Sequence, residues 1–507
     1  MTTKTVDLAA SSPPDTRRRW AILVVLATAQ LMVVLDATIV NIALPAAQYD
    51  LGFGDESRQW IITAYSLTFG GLLLLGGRIN DLFGRKQSFV IGLAGFAAAS
   101  ALGGWSPSFE VLVAARALQG VFGALLAPAA LSLLTVTFAG SADRGRAFGI
   151  YGAISGAGGA IGLLLGGVLT EYVSWNWCLY VNVAFAVVAL VGALWLVPSH
   201  RTGSGGSGLD WPGTILVTAG LFSLVYGLSN SEVNGWSDTW TVTFIVVGIA
   251  LLAAFVVVET RVEHPLLPMR VVLDRVRGTS YLVMLICAIG MFAVFLFLTY
   301  YLQSTLGYSP VITGVAFLPM VGALAVTGAV VGAALITRIS PKILVATGMG
   351  LAGVGMMVLT RIQADSDYVS GVLPGLIITG VGLGVVFATA MSFSTIGVQA
   401  EDAGVASAMV NTAQQIGGSI GISLLSSFAA TAATNYINDN TPGSVATSGP
   451  IPEAAVHAMK QGAELASFHT AFWWAAGFFF VGAALAAVLY PRAIPRTDPD
   501  AAPAIAH

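Results

Sequence analysis

The sequence predicts an all-α polytopic membrane protein: fourteen transmembrane helices, built as two six-helix halves with an inserted helix pair. Three observations carry that reading. Of 507 residues, 56% are hydrophobic and only 9% charged, whereas a soluble domain usually carries about 25% charged residues. Apolar runs of roughly 20 residues, enough to span a bilayer, recur along the chain. Lys and Arg crowd one side of the resulting topology, as the positive-inside rule requires. A mean hydropathy of +0.83 and a pI near 5.9 exclude a soluble enzyme, a disordered chain and a nucleic-acid binder. The two cysteines, Cys178 and Cys287, lie in apolar stretches, which argues against a disulfide scaffold or a cysteine metal site.

The runs are 20–44, 59–77, 88–105, 110–134, 147–170, 177–197, 211–229, 239–258, 279–303, 311–337, 343–361, 370–396, 404–429 and 468–490. A count of twelve would need two of them buried or re-entrant. With the N-terminus inside, eighteen of the 22 Lys and Arg fall inside, three outside and one within a span, while the carboxylates divide evenly. A missed span would reverse the later loops and erase that bias. Both termini are therefore expected in the cytoplasm.

Residues 1–19 form an N-terminal tail. Arg17–Arg19 precede a run of full spanning length, so this start reads as a signal anchor that remains as the first helix. The first half covers 20–198. Within span one, Asp36 interrupts an apolar stretch. A carboxylate at such depth costs about 2.5–3.5 kcal/mol on insertion scales and faces a bundle interior or a water cavity. Loop 77–87 brings Gly77, Asp81, Gly84, Arg85 and Lys86 to the inner side, where Asp143 of the loop between spans four and five could join an inner charge cluster. Arg116 lies within span four. Asp36 falls ~24 Å along its helix, ~6 Å from the outer boundary of a ~30 Å core, and Arg116 ~9 Å in from the outer end of its own. At similar depth the two could pair. Arg116 favours the ionised carboxylate and burial the protonated one, so Asp36 could carry a proton.

Span five is rich in glycine: Gly158, Gly159, Gly162, Gly166 and Gly167 are expected to pack closely against a helix of the other half. Its Gly158-Gly159-Ala160-Ile161-Gly162 is matched in span thirteen by Gly417-Gly418-Ser419-Ile420-Gly421. Thirteen is the fifth helix of the second half, so the match falls in register and supports a two-fold repeat. Region 199–278 holds a flexible linker, Gly203–Gly208, the inserted spans seven and eight, and a charged stretch, 259–278, that reads as interfacial. The second half covers 279–490. It has no deep carboxylate and offers Tyr300, Tyr301 and Gln303 near the end of span nine, and Asn411, Gln414 and Gln415 in span thirteen, as packing amides or cavity lining. Outer loop 430–467 reads as a connector or a lid, with helical periodicity from Pro452 to Ala466. Residues 491–507 form the C-terminal tail.

These residues resemble a family. Gly77 to Lys86 is similar to the loop motif of the major facilitator superfamily, Gly-x-x-x-Asp-x-x-Gly-Arg-Arg/Lys. Leu112, Arg116, Gln119, Gly120 and Gly123 resemble its helix-four motif. Leu35 to Pro45, which includes Asn41, Tyr300 to Gln303 with Gly307 to Pro310, and Asn411 to Gly418 resemble its fourteen-spanner drug:proton antiporters of the EmrB/QacA type. One departure is Leu163, where the antiporter motif in helix five has proline.

The resemblance implies proton-driven efflux of lipophilic drugs or antibiotics across a bacterial inner membrane by alternating access. Asp36 and Arg116 would couple protons. Asn41, Gln119, Tyr300, Tyr301, Gln303, Asn411, Gln414 and Gln415 are the substrate-binding candidates. Monocationic or neutral drugs are expected to be favoured, because the second half lacks the membrane carboxylates that help some relatives with dications. No cofactor is expected, and no Walker motif points to ATP. A monomer with no nucleic-acid partner is expected. The alternatives are an exporter or symporter of one metabolite or siderophore, and a ligand receptor that does not transport. No Ser/His, metal-ligand or paired-carboxylate set suggests an enzyme.

Overall fold

The computed structural model describes residues 16–198, 210–263, 265–440 and 453–494. The linker Gly203–Gly208, most of both tails and the middle of the outer loop lie outside the described residues. Fourteen helices there are long and apolar enough to cross a membrane: α1 (Thr16–Leu51), α2 (Trp60–Phe83), α3 (Arg85–Trp105), α4 (Phe109–Thr137), α5 (Arg144–Tyr172), α6 (Trp177–Leu196), α7 (Trp211–Ser231), α8 (Thr239–Glu259), α9 (Arg275–Thr305), α10 (Pro310–Leu335), α11 (Pro341–Leu359), α12 (Tyr368–Ser394), α13 (Ala403–Asn440) and α14 (Val456–Leu489). No strand occurs among the described residues. In hydrocarbon, a helix is the form that satisfies its own backbone within one segment.

Local sequence sets where helices begin. Asp210, Asp238, Asp274 and Ser309 cap α7, α8, α9 and α10, each side chain accepting from backbone amides of the first turn. Such caps satisfy amides that have no partner inside the helix. Between α2 and α3, Gly84 takes φ of 100°, a conformation costly for any residue with a Cβ.

The packing repeats with an offset of eight helices. In the first half α1 lies against α4, α5 and α6, α2 against α4, and α3 against α4 and α6; in the second, α9 lies against α12, α13 and α14, α10 against α12, and α11 against α12 and α14. The halves meet along two related seams, α5 with α10 and α12, and α13 with α2 and α4. The inserted pair packs on itself and, through α7, on α2 and α13. Arginines obey the same relation. Arg18 at the start of α1 donates to the Leu196 carbonyl ending α6 (3.0 Å), and Arg275 at the start of α9 donates to Leu489 and Val488 ending α14 (2.5 and 3.1 Å). A cation at a helix C-terminus meets the negative end of the dipole, so these basic residues also tie each half's last helix to its first.

With fourteen spans, both ends of the described chain leave on one face, here called the basic face; the other is the distal face. Two features exceed the sequence reading. The outer loop is largely helix: α13 runs on through Asn440, and the helix of α14 begins at Glu453. The extensions touch where Tyr436 packs against Gly462. Residues 265–274, before α9, form a strap along the basic face. Leu266 and Leu267 are buried with Leu74 of α2 and with Val405 and Ala408 of α13, and Arg270 pairs with Asp402 just before α13 (2.8 Å).

Candidate functional site

Asp36 and Arg116 meet directly. Arg116 Nη1 donates to Asp36 Oδ2 at 2.6 Å and to Gln119 Oε1 at 2.8 Å. Gln119 Nε2 donates to Asp36 Oδ1 (2.9 Å) and to Ser100 Oγ (2.8 Å), and Asn182 Nδ2 reaches the same Oδ1 at 2.6 Å. The guanidinium lies 4.4 Å from the centroid of the Tyr65 ring, a cation–π contact. Asp36, Ser100, Arg116, Gln119 and Asn182 are each at most 1% exposed. Five helices, α1, α2, α3, α4 and α6, thus bring one polar cluster into an apolar surround. The carboxylate accepts three donors, the usual condition for a buried charge.

Gln119 belongs to this cluster rather than to a cavity wall, because both ends of its amide are taken. The other binding candidates divide. Asn41 is exposed on α1 in a stripe with Ala37 and Pro45. Gln303 has a buried Nε2 without a partner, a donor available to a ligand. Gln414 and Gln415 are half-buried, and Tyr300 is exposed. Tyr301 is fully buried, and its hydroxyl donates to the Gln363 carbonyl (2.7 Å); it braces α9 against the loop after α11. Asn411 turns its amide to the Ser407 carbonyl one turn back (3.0 Å).

At the basic face, α2 reaches across the seam. Asp81 Oδ1 accepts from the Gly404 amide (2.9 Å) and Oδ2 from the Val405 amide (3.2 Å), with Arg85 Nη2 3.7 Å away. The close approach needs Gly77, since a Cβ there would lie 2.8 Å from the Gly404 carbonyl oxygen. Lys86 donates to the Leu194 carbonyl near the end of α6 (3.1 Å). Asp143 is not in this cluster among the described contacts. It precedes α5, and its amide is on Ser141 Oγ (3.2 Å). Its neighbour Arg144 crosses the other seam, donating to the Ser392 carbonyl (3.2 Å) and Thr395 Oγ1 (2.8 Å) at the end of α12. Among the described hydrogen bonds, those joining the halves all lie at this face.

The glycines of α5 correct one expectation. Gly158, Gly162 and Gly166 face Val34, Thr38 and Ile39 of α1, in the same half. Of the five, Gly159 and Gly167 face the other half, at Phe295 and Pro310. The repeat explains this. Gly417 and Gly421 of α13 face Leu285 and Ile289 of α9, so the shared Gly pattern packs each fifth helix onto the first helix of its own half. The inter-half seam uses Gly145 and Gly149 against Gly332 and Gly328.

A buried polar cluster within one of two pseudo-symmetric six-helix halves is the build of a secondary transporter. A family model described as Major Facilitator Superfamily matches residues 26–422, and the chain belongs to that superfamily. It is 48% identical over 486 residues to the puromycin resistance protein pur8 of Streptomyces alboniger, covering 96% of this chain and 93% of that one. It is 38% identical over 405 residues to the cephamycin export protein CmcT of Amycolatopsis lactamdurans (80% and 83% covered). It is 35% identical over 408 residues to the tetracenomycin C resistance and export protein of Streptomyces glaucescens (80% and 75%). The human organic anion transporter MFSD10 shares the fold, with a TM-score of 0.59 at 14% identity over 92% of this chain and 99% of that one.

Ser100, Tyr65 and Asn182 were not singled out by sequence. Ser100 and Asn182 each lie five residues from the distal end of their helices, ~8 Å in, about the depth of Arg116, and a search for polar side chains at that depth would have found them; Tyr65 lies ten residues into a helix that begins at Asp55.

Proposed function

We propose that the protein exports lipophilic antibiotics or drugs from a bacterial cytoplasm in exchange for protons. It would work as a monomer with both termini, and hence the basic face, on the cytoplasmic side, and would do no chemistry on its substrate. The observation that carries this reading is the buried Asp36–Arg116 pair, one proton acceptor in contact with one fixed cation. The resistance and export proteins named above support the substrate class.

The two halves would rock about the centre. In the conformation described, Asp81 and Arg144 bridge the seams at the basic face, while the stripe Ala37, Asn41 and Pro45 is accessible. A proton arriving from the distal side neutralises Asp36 and loosens its hold on Arg116, and substrate leaves. Substrate binding from the cytoplasm would favour loss of that proton. Gln303, Gln414 and Gln415 offer uncharged hydrogen bonds to a ligand.

Purified protein in liposomes, with imposed pH gradients of both signs and puromycin as probe, tests this. Wild type should move puromycin against a proton flux, and Asp36→Asn should uncouple the two. An Asp36→Asn protein with unchanged dependence on the gradient would sink the coupling role. Puromycin co-moving with protons would favour a symporter instead.

A further inference from the structure

Asn182 holds an asymmetry that the coupling pair does not explain. Its Nδ2 donates to Asp36 Oδ1 at 2.6 Å, yet its own Oδ1 is buried without a hydrogen-bond partner. The side chain is 0% exposed. Buried amide oxygens are rarely left unpaired, because the orphan pays its full desolvation cost. The facing atom must be the nitrogen while Asp36 is ionised, since an amide oxygen would repel the carboxylate. The orphan oxygen is the atom left over when the nitrogen faces the carboxylate.

Protonation of Asp36 changes this arrangement. Oδ2 faces the Arg116 cation, which repels a proton there, so the proton goes to Oδ1, at which two N–H groups, from Gln119 and Asn182, already point. A hydroxyl there meets two donors and no acceptor. Gln119 cannot turn without breaking bonds to Arg116 and Ser100. Asn182 has only the one bond to lose. A half-turn about its last torsion exchanges Nδ2 for Oδ1, and the idle oxygen then accepts the new O–H. We propose that Asn182 is an amide switch, donor to ionised Asp36 and acceptor from protonated Asp36, and so a positioning residue for proton exchange. The proton comes from solvent and returns to it; no other bond forms or breaks. This inference rests on Asp36 being the coupling carboxylate.

The test is infrared difference spectroscopy of the purified full chain during a pH titration, without substrate, together with puromycin antiport in liposomes. In wild type, the carboxyl band of protonated Asp36 should come with a change in an amide side-chain band. In Asn182→Leu, similar in size but unable to hydrogen-bond, the carboxyl stretch should move to higher frequency and the amide change should vanish. Turnover should fall about tenfold, the loss of a bond to a charged group, with half-saturation by puromycin unchanged. Asn182→Ser, whose hydroxyl both donates and accepts, should recover part of the rate, and it keeps the test open if the leucine variant does not fold. A wild-type carboxyl band in Asn182→Leu, or an amide side-chain change that persists in Asn182→Ser, overturns the switch. The parent reading is tested separately: absence of the carboxyl band's titration from wild type, or Asp36→Asn with wild-type coupling, removes the coupling site itself.

Discussion

The carboxylate of Asp81 caps the start of α13: the Gly404 amide, in its first turn, donates to it at 2.9 Å across the seam between the halves. The first amides of a helix lack internal partners and carry the positive end of its dipole, so an anion is favoured there by about 0.3–2 kcal/mol. Arg144 is the counterpart, a cation on the carbonyl end of α12. Each latch joins a side chain of one half to a helix terminus of the other. Asp81→Asn keeps the shape and removes the charge, so it should open the basic face in a larger share of molecules. Spin labels at the basic-face ends of α2 and α13 should report a longer, broader distance distribution. An unchanged distribution would mean the latch holds nothing.

Removing one member of the central pair should cost more than removing its charge on both sides. Arg116→Met leaves Asp36 buried beside two amides with no cation, a defect of about 3–5 kcal/mol by the usual cost of breaking a buried pair. Adding Asp36→Asn should restore part of that stability, because the uncompensated charge is gone. Thermal unfolding in detergent reads both. Equal midpoints for the single and double variants would show that the pair's charges are not what stabilises it.

The spans and the central pair were legible because charge is rare in this chain. Asp36 and Arg116 stand out in runs of Val, Leu and Ala, and helix rise places them at one depth. Asn182 and Ser100 were not legible, since neutral polar groups in a membrane helix resemble ordinary packing contacts until a partner is seen. The glycines of α5 were visible as a pattern, but periodicity gives the face they occupy and not the helix that meets it. Gly158 and Gly162 therefore went to α1, while the seam was made by Gly145 and Gly149 nearer the basic face. Asp81 was legible as a loop carboxylate. Its partners across the seam are backbone amides, which carry no sequence signature.

The same geometry separates glycines that matter from those that do not. A Cβ on Gly149 would sit 2.4 Å from the Gly328 carbonyl oxygen, whereas one on Gly418 would meet nothing within 4 Å. Two helix backbones cannot give as a side-chain tip can. Gly149→Ala should therefore force α5 from α10, weaken closure of the basic face and depress transport. Gly418→Ala should leave transport intact and change stability within about 0.5 kcal/mol. Wild-type antiport by Gly149→Ala would show that the seam is looser than drawn.

Substrate charge offers the sharpest test of the cavity. Asp36 already accepts three donors, from Arg116, Gln119 and Asn182, so it has little capacity left for a cationic ligand. In the second half no carboxylate lies deep in a span, and the side-chain amides there are Gln303, Asn411, Gln414 and Gln415. Amides can orient a ligand or hold one diffuse charge, but they do not repay the desolvation of two. Dications should therefore be exported poorly beside monocations and neutral drugs of similar lipophilicity. Placing a carboxylate at half-buried Gln414, as Gln414→Glu, should raise dication export relative to neutral drug export. Paired efflux assays in one vesicle preparation compare the classes directly. Comparable proton-coupled export of monocations and dications by wild type would show that charge is neutralised by a group other than these.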